Sequence, residues 1–159
     1  MGSCQYVDRQ GQRCPETVEG SKAFCFWHDA TCSKENIDVK SRLEKIAKEG
    51  RSMEGYELKR ADLSDIHLEQ YDRKKSRVNL SYANLYRANL QGAHLYSANL
   101  DGTNLMKADC TRANLNSASL QGANLLGIKL QETKIEHIKW GKYLQQEQQA
   151  KEAIDNGDN

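Results

Sequence analysis

Residues 83–105 read ANLYRANLQGAHLYSANLDGTNL, and an apolar residue recurs in this stretch at every fifth position. The same register continues in both directions and is occupied by Leu80, Leu85, Leu90, Leu95, Leu100, Leu105, Cys110, Leu115, Leu120, Leu125, Leu130 and Ile135. Alanine stands two residues before most of these positions, and Asn, Asp, His or Ser usually stands between the two. The unit is therefore a tandem pentapeptide, A(N/D)Lxx.

A shorter block of the same unit comes first, with apolar residues at Met53, Leu58, Leu63 and Leu68. From Leu68 to Leu80 is two residues more than two units, so the register breaks between the blocks. The break falls at the charged residues 71–77, YDRKKSR, which we expect to bulge outward as an insertion.

A five-residue period fits neither a strand, which points side chains inward every two residues, nor a helix, which averages 3.6. The chain must turn once in each unit to return an apolar side chain to the interior. Tandem turning units are expected to stack as a solenoid, with about 4.8 Å between hydrogen-bonded coils. Alanine then recurs because the narrow, close-packed interior leaves room for only one large side chain in each unit.

Over residues 51–140 the chain resembles the pentapeptide-repeat family. The resemblance implies an all-β solenoid, a right-handed quadrilateral β-helix of about four coils, with four units in each coil. Residues twenty apart would then stack on one face, which predicts a polar ladder of Asn84, Asn104 and Asn124.

The same stacking predicts an outward apolar column beside that ladder, formed by Tyr86, Met106 and Leu126 and rimmed by Arg87 and Lys107. Exposed apolar patches often mark interfaces, so this column is the predicted interaction surface. The alternative is that loops or a terminal helix cover it. Cys110 takes an inward Leu position and is predicted to be a buried, inert thiol.

Residues 1–32 contain four of the five cysteines, and Cys4, Cys14, Cys25 and His28 have the composition of a metal site. Three thiolates and one imidazole suit tetrahedral Zn²⁺, with Cys32 as a rival fourth ligand. Unliganded thiols in a loosely ordered tail are the alternative. The passage 6–29, YVDRQGQRCPETVEGSKAFCFWHD, also resembles the small zinc modules found at the N-terminus of some bacterial pentapeptide-repeat proteins. Four protein ligands imply a structural ion.

Two helices are predicted beside the solenoid. Residues 33–50 have an amphipathic pattern, with a cap at Ser33 together with Glu35 or Asn36. Residues 138–155 form the second helix, which is expected to cap the C-terminal end of the solenoid or to pair with its twin in a homodimer. The N-terminal module is expected to help cap the other end, because an open solenoid end exposes core and ladder groups.

Charge and motifs narrow the function. The net charge is +1, and mean hydropathy is −0.84, without an apolar run long enough to span a membrane or an apolar leader. We therefore expect a cytoplasmic protein with reduced thiols. His67, His94 and His137 are scattered, and no nucleophile–base pair or phosphate-binding loop is found, so no enzyme activity is expected.

The leading hypothesis is a non-enzymatic scaffold that binds a protein partner, whose identity the sequence does not reveal. One alternative is a DNA-mimicking modulator of DNA gyrase, although the repeat is not acidic. The other alternative is nucleic-acid binding through the zinc module and the basic residues Arg73, Lys74, Lys75 and Arg77, although the near-neutral net charge argues against it.

Overall fold

The computed structural model describes residues 1–34, 38–68 and 77–141. Strands β1 (Gly2–Ser3) and β2 (Thr17–Val18) form an antiparallel pair, and helix α1 (Val39–Lys48) follows. From Glu57 to Lys139 the chain forms single-residue parallel bridges instead of long strands. Most of the predicted C-terminal helix, and the predicted insertion apart from Arg77, lie outside the described residues.

Equivalent positions in successive coils are bridged at intervals of twenty residues, as Asn84 is to Asn104 and Asn104 is to Asn124. Twenty residues are four pentapeptide units, so each coil has four sides, as the resemblance implied. Each rung is joined by backbone hydrogen bonds on both sides: Leu85 N–H donates to the Asn104 carbonyl at 2.8 Å, and Asn104 N–H donates to the Ala83 carbonyl at 3.0 Å.

The corners from Met53 to Leu63 and from Leu80 to Leu130 are tight turns that start at the central apolar residue. At the corner after Leu80, the N–H of Ala83 donates to the Leu80 carbonyl at 3.1 Å, and Tyr82 between them has a φ of 58°. A positive φ at this turn position is the signature of type II turns and favours glycine. Ten non-glycine residues of the described chain nevertheless have a positive φ, and all of them occupy this corner position.

The break between the two blocks is visible in the spacing of the bridges. Glu57 is bridged to Asn84, 27 residues away, where later coils have an interval of twenty. The block from Met53 to Leu68 therefore makes one coil directly beneath the coil from Leu80 to Leu95. The connection between the two coils is seven residues longer than a direct step.

The central apolar residues and the alanines fill the interior, and Leu105 and Ala108 are each at most 1% exposed. Helix α1 contributes Val39, Leu43, Ile46 and Ala47 to the same core cluster, so its apolar face covers the N-terminal end of the first coil. Its Lys40 donates to Ser64 Oγ, and its Glu44 accepts a hydrogen bond from the His67 N–H.

Helix α1 begins later than the sequence indicated. The N-cap is Asp38, whose carboxylate accepts from the Ser41 N–H, and not Ser33. Among the described residues, no helix combines the length and the apolar character needed to cross a bilayer.

Candidate metal centre and interaction face

Three thiols and one imidazole meet in the N-terminal module. The ligand atoms of Cys4, Cys14, Cys25 and His28 all lie within 4.8 Å of one another. Cys4 directly follows β1, and Cys14 lies three residues before β2. Cys25 and His28 lie on one turn, in which the His28 N–H donates to the Cys25 carbonyl at 3.0 Å. The module thus gathers ligands that are up to 24 residues apart in sequence.

The distances between these atoms match those required around one tetrahedral ion. Zinc–sulfur bonds of about 2.3 Å and zinc–nitrogen bonds of about 2.05 Å place two sulfurs about 3.8 Å apart, and a sulfur and a nitrogen about 3.5 Å apart. Cys14 Sγ and Cys25 Sγ are 3.8 Å apart. His28 Nδ1 is 3.7 Å from Cys4 Sγ and 3.3 Å from Cys25 Sγ. All five cysteines are free, so no disulfide competes for these sulfurs.

Burial controls the protonation of these ligands. It raises the pKa of Cys14 to about 12, raises the pKa of Cys25 and lowers the pKa of His28. Burial also acts to raise the pKa of Cys4, but hydrogen bonds from the backbone N–H groups of Cys25 and Tyr6 outweigh it and lower that pKa. The lowered pKa keeps the imidazole neutral, as a metal ligand must be. The raised pKa values mean that the thiols of Cys14 and Cys25 ionise at neutral pH only beside a compensating cation.

The first coil of the solenoid orients the histidine. His28 Nε2 lies 3.1 Å from the Glu54 carbonyl oxygen, to which it donates, and this leaves Nδ1 free to face the sulfurs. The Tyr6 ring stacks on the imidazole at 3.8 Å between ring centroids. Such contacts behind a metal ligand fix its tautomer and ring orientation. No sequence pattern indicates the role of Glu54, because it contributes a backbone carbonyl.

Further contacts join the module to the solenoid. Trp27 accepts a hydrogen bond at its carbonyl from the Glu57 N–H at 2.7 Å, and its ring stacks on Tyr56. The Arg9 guanidinium lies 3.6 Å from the centroid of the Tyr82 ring, and the Arg9 N–H donates to Glu54. The module and the first two coils are therefore packed together.

Cys32, the rival fourth ligand, is not part of the cluster, and its Sγ is instead 3.9 Å from the Ser33 carbonyl oxygen. Beside it, the buried Lys34 donates from Nζ to the carbonyls of Asp29 and Cys32 at 2.9 and 2.8 Å. This lysine holds the loop that follows His28, a role that the sequence did not indicate.

The predicted apolar column stacks as expected in the described chain. Arg87 N–H donates to the Met106 carbonyl and Lys107 N–H to the Leu126 carbonyl, which places Tyr86, Met106 and Leu126 on neighbouring rungs. Tyr86 and Met106 are partly exposed, and Leu126 is 56% exposed. We call this side of the solenoid, formed by the units centred on Leu58, Leu85, Leu105 and Leu125, the Tyr86 face.

The asparagines of this face have a structural role. Asn104 Nδ2 donates to Asn84 Oδ1 at 3.2 Å, which confirms the predicted ladder at that step. Each asparagine oxygen also accepts the N–H two residues later, as Asn84 does from Tyr86 and Asn104 from Met106. These side chains therefore hold the backbone of the corner that follows each of them, and the bond between Asn84 and Asn104 also links two coils.

The family model for pentapeptide repeats matches residues 76–109 and 108–139, with eight copies of the repeat. Residues 76–139 are therefore similar to the pentapeptide-repeat family. A comparison with curated proteins gave no match. Among solved structures, alr5209, a pentapeptide repeat protein from Nostoc PCC 7120, has 28% sequence identity and a TM-score of 0.54, and the match covers 69% of this chain and 91% of that protein. Family and structural likeness identify the solenoid as a right-handed β-helix.

Two further pentapeptide-repeat structures are similar over a smaller share of their length. The protein Rfr23 from the cyanobacterium Cyanothece 51142 has 34% identity and a TM-score of 0.43, with 58% of each chain covered. HetL from Nostoc PCC 7120, a protein involved in the regulation of heterocyst differentiation, has 26% identity and a TM-score of 0.40, with 54% of this chain and 47% of HetL covered.

Two predictions about individual pentapeptide-repeat residues have opposite outcomes. Cys110 is buried, and burial raises its pKa to about 12, so the prediction of an inert core thiol is confirmed. His67 and His94, in contrast, are not scattered, since they occupy bridged positions and their ring centroids are 4.2 Å apart.

Proposed function

We propose that this chain is a non-enzymatic scaffold that binds a protein partner through the Tyr86 face, and that its N-terminal module contains a structural Zn²⁺. The observation that supports the scaffold function is the apolar column on that face. Leu126 is 56% exposed in a repeat whose inward leucines are almost fully buried. A flat surface with an apolar strip is typical of a protein interface.

The proposed metal ligands are Cys4, Cys14, Cys25 and His28. Their separations and donor set fit Zn²⁺, which when bound supplies the positive charge that three buried thiolates need. All four coordination positions are taken by protein atoms, so the site has no open position for water or substrate. The proposal therefore includes no catalysis, and it assumes the reducing cytoplasm in which such thiols persist.

The zinc module has a structural purpose in this proposal. Residues 1–34 contain only the short pair of β1 and β2 and a few buried apolar side chains, which is too little to hold a fold by itself. An ion that cross-links four positions compensates for that small core. The hydrogen bond from His28 to the Glu54 carbonyl then links the ordered module to the first coil.

Affinity purification from the native host, followed by mass spectrometry, tests the proposed interface. Tyr86→Glu combined with Met106→Glu should abolish recovery of the partner while the circular dichroism spectrum and melting temperature stay close to wild type. Tyr96→Glu combined with Gln121→Glu is the matched control, since it adds the same charge at equivalent, exposed positions of two other faces. Recovery of every partner by the Tyr86 and Met106 double variant would show that this face is not the interface.

A further inference from the structure

A basic column runs beside the apolar one on the Tyr86 face. It consists of Arg60, Arg87 and Lys107, which occupy the corner position of three successive coils and are all exposed. Backbone bonds from Arg60 N–H to the Tyr86 carbonyl and from Arg87 N–H to the Met106 carbonyl hold the rungs together. Each basic residue therefore directly follows the apolar-column position of its own coil.

The exposed cations Lys59, Arg87 and Lys107 of this face differ in their partners from the cations of the face centred on Leu90, Cys110 and Leu130. Elsewhere on the solenoid, Lys129 lies 3.2 Å from Asp109, and Arg112 lies 3.0 Å from Glu132. Within the described ranges, no ion pair involves Lys59, Arg87 or Lys107.

Two of these cations instead lie over the ring of Tyr86, Lys59 at 5.6 Å and Arg87 at 5.4 Å from its centroid. The apolar column is thus rimmed by positive charge. Such a surface is complementary to an acidic partner, because opposite charges across an interface favour encounter and correct register.

The spacing of the columns favours a helical partner. Successive rungs of a β-solenoid are about 4.8 Å apart, so the three residues of a column span about 9.6 Å. Two turns of an α-helix, from residue i to i+7, span about 10.5 Å. Two same-face steps of a strand span about 13.4 Å, so a strand laid along the column would lose register with its third residue.

We propose that the Tyr86 face binds an acidic amphipathic helix of a partner protein, which lies along the solenoid axis. Its apolar side chains at i, i+3 or i+4 and i+7 contact Tyr86, Met106 and Leu126. Asp or Glu side chains on one edge of that helix face Arg87 and Lys107. This inference rests on the proposed interface and adds the chemistry and the shape of the partner.

Fluorescence anisotropy with the full chain and labelled synthetic peptides of about 20 residues tests the inference, this length being sufficient for helix formation. One peptide has Leu at helical spacing with Glu beside it, a second has Lys in place of each Glu, and a third has a central Pro. The first should bind, and the other two should not. Arg87→Glu with Lys107→Glu should weaken its binding at least about tenfold, because like charges then face each other.

The matched control is Lys134→Glu with Lys139→Glu, which makes the same change in net charge on other faces and should leave binding within about twofold, since screening weakens distant charges. Equal binding of the acidic and basic peptides, or equal losses in the two double variants, would overturn the inference. The inference would also be overturned if duplex DNA, or a peptide of residues 142–159, competed for the face and this competition depended on Arg87 and Lys107. The face would then bind nucleic acid or the chain's own C-terminus.

The same variants separate this inference from the proposed function. Suppose that Tyr86→Glu with Met106→Glu abolishes capture of the cellular partner while the Arg87 and Lys107 reversal leaves it intact. The Tyr86 face is then the interface, and its partner is not an acidic helix. If neither double variant affects capture, the proposed function itself is wrong.

Discussion

The substitution Leu105→Ala tests whether the five-residue register determines what is inside the solenoid. Leu105 is 1% exposed, and its coil is hydrogen-bonded to the coils of Leu85 and Leu125 above and below it. The substitution deletes three buried carbons, worth about 2.4 kcal/mol in transfer free energy at about 0.8 kcal/mol each. The rigid corners limit collapse of the resulting cavity, so the total should reach about 3–5 kcal/mol.

Urea unfolding followed by far-ultraviolet circular dichroism measures this loss in the free energy of unfolding. The control is Leu126→Ala, which deletes the same atoms one coil later from a side chain that is 56% exposed and should change stability by less than about 0.5 kcal/mol. A cost below about 1 kcal/mol for Leu105→Ala, or similar costs for the two variants, would refute the assignment of inward and outward positions.

Other predictions concern the ladder and the corners. Burial acts to raise the pKa of Asp109, but hydrogen bonds led by that from Thr111 outweigh it and hold this pKa at about 2. Because the folded pKa lies below the unfolded one, Asp109→Asn should cost about 1–2 kcal/mol at pH 5, and urea titrations should find this difference shrinking toward pH 2. A cost that is the same at both pH values would contradict it. At the corner residue Ser117, whose φ is 61°, Ser117→Gly should raise stability by up to about 1 kcal/mol. Gly102→Ala should instead lower the melting temperature, because its φ is 65° and the ring of Tyr82 occupies the space of the new methyl group. Equal melting temperatures for the two corner variants would contradict the backbone argument.

The solenoid could be predicted from sequence because its determinants are local and repeated. The inward positions of Leu105 and Ala108, the buried thiol of Cys110 and the stacked asparagines all follow from a period of five and a turn of four units. The length of the insertion could not be predicted from the sequence in the same way. The spacing from Leu68 to Leu80 fits either one further unit that has lost its pattern, with two extra residues, or a single long connection. Only the bridge from Glu57 to Asn84 distinguishes these alternatives.

The corners show a second limit of sequence reasoning. Glycine indicates some of the corners from sequence. Most of the non-glycine corners, however, have no residue type that predicts a left-handed backbone, as at Lys107, whose φ is 58°. The turn is imposed there by the inward Leu and Ala on either side and by the hydrogen bonds to neighbouring coils. Tertiary context therefore overrides the preference of the residue itself.

The residues of the candidate metal site were predictable from sequence, but the contacts that support them were not. Thiols and an imidazole identify the candidates by chemistry alone, although the exclusion of the rival ligand Cys32 required the folded chain. No sequence pattern predicts the hydrogen bond of His28 to a backbone carbonyl. The same is true of the hydrogen bonds of Lys34 to two other backbone carbonyls. Long-range contacts to backbone atoms depend on the path of the chain and not on residue type.

Metal analysis of the full chain by inductively coupled plasma mass spectrometry, after purification without chelators, tests the proposed zinc site most directly. We expect about one zinc per chain in the wild type and in Cys32→Ser, and almost none in Cys25→Ser. Of these two cysteines, only Cys25 belongs to the group of four proposed ligands. A wild-type protein without zinc, or a Cys32→Ser variant that loses it as Cys25→Ser does, would contradict the assignment.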